Sequence, residues 1–158
     1  YVYEEVGYNL KPIEVQASML LAQIDKFDEI SSLRKRNYKL LFDVFRKYEE
    51  YFHLPRPQAK ADVNWFAFPI TVKEDAPFKR SDLCQFFESK KIQTRPYFAG
   101  NILMQPAYSG LIGDLTLKDF PVANVVTTNT FFLGTSPVIT PTQIIYICDM
   151  LDKFIDQI

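Results

Sequence analysis

Apolar residues recur along this chain at two spacings, and the switching between them divides it into helices and strands. Ile13, Ala17, Leu20, Leu21, Ile24 and Phe27 follow one another mostly at steps of three and four, which places them along one helical face. Lys11-Pro12 opens that pattern, because a proline in the first helical turn lacks only an N–H that would be unbonded there. Asp28 is expected to cap a second helix with the stripe Ile30, Leu33, Leu41 and Phe45, and Arg34-Lys35-Arg36 reads as its solvated face. The helical pattern stops at Leu54-Pro55-Arg56-Pro57, and the stretch up to Asn64 reads as a loop. Residues 65–72 are aromatic and β-branched and predict a strand, with Pro69 pointing to an edge position or a bulge. Residues 81–91 return to helix with Leu83, Phe86 and Phe87 inward, and residues 92–96 form a short extended segment. Residues 100–119 read as a long irregular excursion with turns at Gly110 and Gly113-Asp114; loops of that length are usually functional or disordered. Residues 129–135 predict a further strand. The last helix has the clearest signal: Thr140 as cap, Pro141 at the first position, Gln143 completing a capping box, and the stripe Ile144, Ile147, Cys148, Leu151, Phe154 and Ile155.

This order has too few strands for a doubly wound sheet and contains no internal repeat. It predicts an α+β fold, a small two-layer domain with helices packed on one face of a short, mostly antiparallel sheet. At 158 residues the chain is of one-domain length and can bury a real core. A net charge of -1 provides no basic field, which sets nucleic acid aside as a partner. No apolar run approaches the roughly 18 residues that span a bilayer, and no membrane association is expected. Aromatics, at 15%, are the one excess, falling in pairs such as Phe86-Phe87, Tyr97-Phe98 and Phe131-Phe132; a core accounts for most, a pocket or subunit interface for others. Cys84 and Cys148 read as free buried thiols, which suits a reducing cytoplasm.

Several chemistries are missing from the pattern. His53 is the one histidine, in a helical segment's end where a surface position is expected, and no metal-ligand spacing occurs, so no metal site is predicted. Nucleophile-elbow, P-loop and dinucleotide glycine motifs are absent. Glu4-Glu5 and Glu49-Glu50 read as solvated pairs. What stands out is a loop with Arg95 before Pro96, then Tyr97, Phe98, Asn101, Gln105 and Tyr108. An arginine between extended residues, followed by aromatics and amides, offers an anion clamp, stacking faces and hydrogen-bond donors suited to a sugar nucleotide diphosphate. The alternative is an ordinary loop whose Arg95 pairs with an acid such as Asp114 or Asp119.

Val6-Gly7-Tyr8-Asn9-Leu10-Lys11, with Val15-Gln16-Ala17 and Leu21-Ala22-Gln23-Ile24 after it, resembles the glycine-tyrosine-asparagine motif and following helix of the DegT/DnrJ/EryC1/StrS sugar aminotransferase and dehydrase family. Trp65-Phe66-Ala67-Phe68-Pro69-Ile70, Thr94-Arg95-Pro96-Tyr97-Phe98-Ala99-Gly100-Asn101, Gln105-Pro106-Ala107 and Asn129-Thr130-Phe131-Phe132-Leu133-Gly134 are similar to its CDP-4-keto-6-deoxyglucose 3-dehydrase branch. The resemblance implies the small C-terminal domain of a fold type I pyridoxal-phosphate enzyme, with residues 1–27 leading in from a large domain and residues 28–158 forming the small one. It implies a homodimer, a nucleotide-sugar substrate losing its C3 hydroxyl in deoxysugar and O-antigen biosynthesis, and a reductase partner. PLP or PMP would be the cofactor, with Asn9 and Lys11 near its phosphate, and a 2Fe-2S cluster could belong to the full-length enzyme. Arg95, Tyr97, Phe98, Asn101, Gln105 and Tyr108 would bind substrate. The cofactor-anchoring residue would lie upstream, leaving this piece inactive alone and its apolar Val2, Tyr3, Val6 and Tyr8 uncovered, which favours self-association. The family's usual Ser or Thr cap on the third helix is replaced by Lys79-Arg80 ahead of Ser81. Two alternatives stay open: a related PLP-dependent aminotransferase, and a stand-alone sugar-nucleotide-binding or dimerisation module.

Overall fold

Along residues 67–72 buried positions alternate with half-buried ones, which marks a strand with one face turned to the core. In a computed structural model, which describes residues 8, 10–108, 113 and 115–158, β1 (Phe52–His53), β2 (Ala67–Val72), β3 (Arg95–Pro96) and β4 (Thr130–Gly134) form one antiparallel sheet in the order β1-β2-β4-β3. On β2, Phe68, Ile70 and Val72 point to the core, and the register pairs Phe68 with Leu133, Ile70 with Phe131 and Val72 with Phe52. Side chains of paired residues share a face, so these six form one apolar surface. Leu41 and Phe45 of α2 (Phe27–Phe45), Leu83 and Phe87 of α3 (Arg80–Ser89), and Ile144, Ile147, Met150, Leu151 and Phe154 of α5 (Pro141–Ile155) cover it. The result is the expected two-layer α+β arrangement. The pleat's other face carries Ala67, Pro69 and Thr71 with Gly134, Phe132 and Thr130.

Pro69 is accommodated because β1 pairs only with Thr71 and Val72, leaving that flank of Pro69 uncovered. The capping box of α5 forms as predicted: the Gln143 backbone donates to Thr140 Oγ1 at 3.3 Å and the Thr140 backbone donates to Gln143 Oε1 at 2.8 Å. Its Tyr48 contact ties α5 to the turn after α2. The Tyr48 hydroxyl donates to Asp152 Oδ1 at 2.8 Å, and burial, then this bond, push the phenol from 10.0 up to about 12. The folded state therefore holds this proton more tightly than the unfolded chain. The stabilisation is complete below pH 10 and is lost as pH rises from 10 through about 12. Tyr48→Phe should accordingly flatten the alkaline decline of stability over that window, measured by urea denaturation at a series of pH values.

Several sequence expectations need correction. α1 spans Glu14–Ile24 with Ile13 as its cap, its N–H donating to Gln16 Oε1, so Lys11-Pro12 lies outside the helix. None of the residues in α1 is buried, including Leu20, Leu21 and Ile24 of the apolar face. α2 begins at Phe27 behind a Lys26 cap; Asp28 sits inside its first turn, where a carboxylate favours the helix's positive end. α3 starts at Arg80, ahead of Ser81, with Asp82 accepting from the Lys79 backbone at 2.9 Å. Phe52-His53 is a strand rather than a helix end, because Phe52 pairs with Val72 to close the core; His53 is exposed, as expected. Trp65 and Phe66 precede β2 instead of belonging to it. A helix absent from the sequence reading, α4 (Pro121–Asn129), leads straight into β4. The basic triplet is not a solvated face: each residue is half-buried, and Lys35 pairs with Asp62 while Arg36 donates to Asn37 and to the Ile139 carbonyl. Glu49 pairs with Arg56, whereas Glu4 and Glu5 lie outside the described residues. Both cysteines are free but only half-buried, and burial pushes the Cys84 thiol up.

Candidate functional site

The register of β3 against β4 decides where the arginine points. Arg95 pairs with Phe132, so both side chains stand on the sheet face opposite the core. Glu88 fixes the residue before it: its Oε1 accepts from both the Thr94 backbone and the Thr94 hydroxyl, which lowers the carboxyl's pKa. Pro96 restricts Arg95 to extended backbone. The chain then reverses sharply, with the Phe98 N–H donating to the Pro96 carbonyl at 2.8 Å and Phe98 itself at φ 51°. A non-glycine residue in this region is uncommon and strained. Its effect is to lay the Phe98 ring 5.8 Å from Phe132 and 5.5 Å from Tyr97 while leaving it 71% exposed. Arg95 and Phe98 are thus brought beside Phe132, with the Tyr97 ring against Phe98.

The amides in the loop serve a different end. Asn101 is 4% exposed; its Oδ1 accepts from the Leu103 backbone at 3.0 Å and its Nδ2 donates to Asn124 Oδ1 at 2.7 Å. Its own N–H donates to Thr127 Oγ1 at 2.6 Å. Asn101 therefore fastens the loop to α4 instead of facing the arginine. Gln105 folds back, Nε2 donating to the Ala99 carbonyl at 3.1 Å. Tyr108 ends a short 3₁₀ turn at Pro106–Tyr108 and is exposed. Lys11 is exposed and makes no hydrogen bond or ion pair among the described residues, and Asn9, Gly110 and Asp114 lie outside those residues. Pairing of Arg95 with Asp119 does not occur: the Asp119 carboxylate accepts from the Thr116 backbone and hydroxyl at 2.8 and 3.0 Å. Arg95 forms no ion pair among the described residues.

A cavity of about 290 Å³ opens beside Arg95 over the same sheet face, lined by Phe66, Gln93, Phe132, Gly134 and, from α2, Arg34. Sequence reasoning missed Arg34. The signal was available, since Arg34, Asn37 and Leu41 follow at steps of three and four, and Asn37 and Leu41 are fully buried. Arg34 thus sits on the inward stripe of α2. Among the described residues no cluster of His, Cys, Asp or Glu could hold a metal ion, and no helix is long and apolar enough to cross a membrane.

The arrangement suits binding: among the described residues the Arg95 guanidinium has no ion-pair partner, and it stands on the same sheet face as Phe132. The chain is 34% identical over 158 residues to the lipopolysaccharide biosynthesis protein RfbH of Salmonella typhimurium, covering 98% of this chain and 35% of that protein. It is 36% identical over 159 residues to the dTDP-4-dehydro-2,6-dideoxy-D-glucose 3-dehydratase of Saccharopolyspora spinosa, covering 98% and 33% respectively. The chain thus spans about a third of the length of these relatives. Its fold matches that of the E. coli GDP-4-keto-6-deoxy-D-mannose-3-dehydratase with bound hydrated PLP, at a TM-score of 0.77 and 24% identity over 92% of this chain and 36% of that one. The model of the DegT/DnrJ/EryC1/StrS aminotransferase family matches residues 1–152, and the chain belongs to that family.

Proposed function

We propose that this chain is the small-domain part of a PLP- or PMP-dependent enzyme that removes the C3 hydroxyl of a nucleotide-linked 4-keto-6-deoxy sugar, with CDP-4-keto-6-deoxyglucose as the leading substrate. The observation that carries the reading is Arg95, without an ion-pair partner among the described residues and set beside Phe132 by the β3–β4 register, in a chain 36% identical to a sugar-nucleotide 3-dehydratase. The cofactor, when bound, supplies a primary amine for the sugar ketone and a conjugated ring that takes up an electron pair. Residues of this chain bind and orient. Arg95 holds a phosphate oxygen of the substrate through its planar fork, and its permanent charge rules it out as the proton-transferring base. Phe98 and Tyr97 offer flat faces to a base or sugar ring. The exposed ammonium of Lys11 fits an anion such as the cofactor phosphate, and Asn9 would donate beside it, across a dimer interface. The anchoring residue belongs elsewhere in the polypeptide, so the chain alone is inactive.

Two cysteines are too few for the four thiolates of a 2Fe-2S cluster, so a cluster and its reductase would engage other parts of the complete cytoplasmic dimer. The aminotransferase reading stays as the second one, because the family itself carries that chemistry. Complete polypeptide incubated with PMP and CDP-4-keto-6-deoxyglucose should yield a sugar lacking its C3 oxygen by mass. Glutamate-dependent amination in place of that loss would overturn the dehydratase reading. For Arg95→Ala in the same protein, a charge-assisted contact of about 1.5–3 kcal/mol predicts nucleotide-sugar affinity about ten- to a hundredfold weaker, with cofactor spectra and melting temperature unchanged.

A further inference from the structure

The structure assigns Arg34 to an anion cleft that it shares with Arg95: we propose that the two guanidinia together grip a diphosphate. Both line the cavity of about 290 Å³, and the remaining walls are aromatic, amide, hydroxyl and glycine, without any carboxylate. Neither arginine has an acidic partner among the described residues. Two like charges beside one cavity repel each other, and an anion between them turns that repulsion into attraction. A structural pair of arginines would be expected to carry its own counter-charge; here the space is left for one.

Arg34 is also prepared for the task. Its Nη1 donates to the Phe66 carbonyl at 3.2 Å and to the Trp65 carbonyl at 3.4 Å, and its guanidinium lies 5.8 Å from the Phe66 ring centre. The Trp65 carbonyl is held in turn, since the Thr135 hydroxyl donates to it at 2.7 Å. Nη2 and Nε make no bond among the described residues, so the fork is oriented through one nitrogen and free at the others. A lysine could not hold the same two carbonyls and an anion with equal geometry. At about 30 Å³ per water, the cavity is roomy enough for a phosphate group with its hydration partly removed. Gln93 offers a way to test charge alone, because it is exposed and its side chain bonds to nothing among the described residues.

The inference rests on the reading of Arg95 as a phosphate contact, and the test separates the two. In the complete polypeptide, affinities for inorganic pyrophosphate and for the nucleotide sugar are measured by calorimetry for the parent and for Arg95→Ala, Arg34→Lys and Gln93→Glu. Gln93→Glu, which places a carboxylate in the cleft without touching the Arg34 carbonyl bonds, should weaken both ligands about tenfold at unchanged melting temperature. Arg34→Lys should weaken both by a similar factor and lower the melting temperature. If Arg95→Ala weakens both ligands while Gln93→Glu and Arg34→Lys leave them unchanged, the shared cleft is refuted and Arg95 acts alone. If none of the three changes either affinity, the phosphate reading of Arg95 falls as well.

Discussion

Gly100→Ala should destabilise the folded chain by about 3 kcal/mol, combining the cost of a side chain in the left-handed region with that of overpacking. Gly100 adopts φ +61°, and a Cβ built there would lie 2.4 Å from Thr127 Oγ1 and 2.9 Å from Thr127 Cα. The second contact matters most. The hydroxyl could rotate away, but the Cα belongs to α4 and cannot yield without moving the helix. Retreat would also break the Asn101 N–H bond to Thr127 Oγ1 and strain the Asn101 bond to Asn124. The variant should show a lower urea midpoint and faster proteolysis between Tyr97 and Tyr108. Thr127→Ser keeps the hydroxyl and removes only a methyl group, so it should behave nearly as the parent. Equal midpoints for Gly100→Ala and the parent would show that α4 does not hold the loop.

A comparable loss, about 3 kcal/mol, is expected for Asn37→Ala, because a fully buried amide is the hub of four hydrogen bonds. Asn37 Oδ1 accepts from Arg36 Nε at 3.1 Å and Nη2 at 3.0 Å, and Nδ2 donates to the Ser136 carbonyl at 2.8 Å and the Ile139 carbonyl at 3.2 Å. Those carbonyls belong to the turn joining β4 to α5, so one side chain of α2 fixes the geometry of the turn between two other core elements. Removing it leaves buried polar groups without partners as well as a cavity. Asn37→Leu separates these effects, since it restores volume but no bonds. Leucine should be as damaging as alanine or worse; a leucine variant as stable as the parent would show that packing alone holds this turn.

Legibility in the sequence followed the strength of local signals. α5 could be read to the residue because its cap, proline and box act within four positions. β4 and the core of β2 could be read because β-branched and aromatic runs demand a pleated surface. α4 could not. Its Val122, Val125, Val126, Thr127 and Thr128 are poor helix formers, and the helix is held by distant groups, Arg80 donating to the Thr127 carbonyl and Asn124 to that of Leu117. β1 has two residues and no pattern to detect; only Phe52 opposite Val72 makes it a strand. The candidate site was legible in part for the same reason. The spacing of Arg95, Tyr97 and Phe98 survives folding because β3 register and one tight reversal fix it. Asn101 reads identically whether its amide turns outward to a ligand or inward to Asn124, since the choice depends on a helix more than 20 residues downstream. Arg34 was hidden by its neighbours: in a basic triplet, only the position relative to buried Asn37 and Leu41 distinguishes it.

The two bonds from Asn101 to α4 also divide the molecule's evolvable parts. They close residues 102–123 into a cassette whose base is fastened independently of its tip. Closing such a loop costs free energy that rises only with the logarithm of its length, about 0.6 kcal/mol for each doubling. Insertions or deletions between Tyr108 and Leu115 can therefore change the length of the tip while the sheet, the arginine and the core stay where they are. Ligand preference and thermal stability become traits that can drift separately, and grafting a differently sized tip onto the same fastening is the practical expression of that independence.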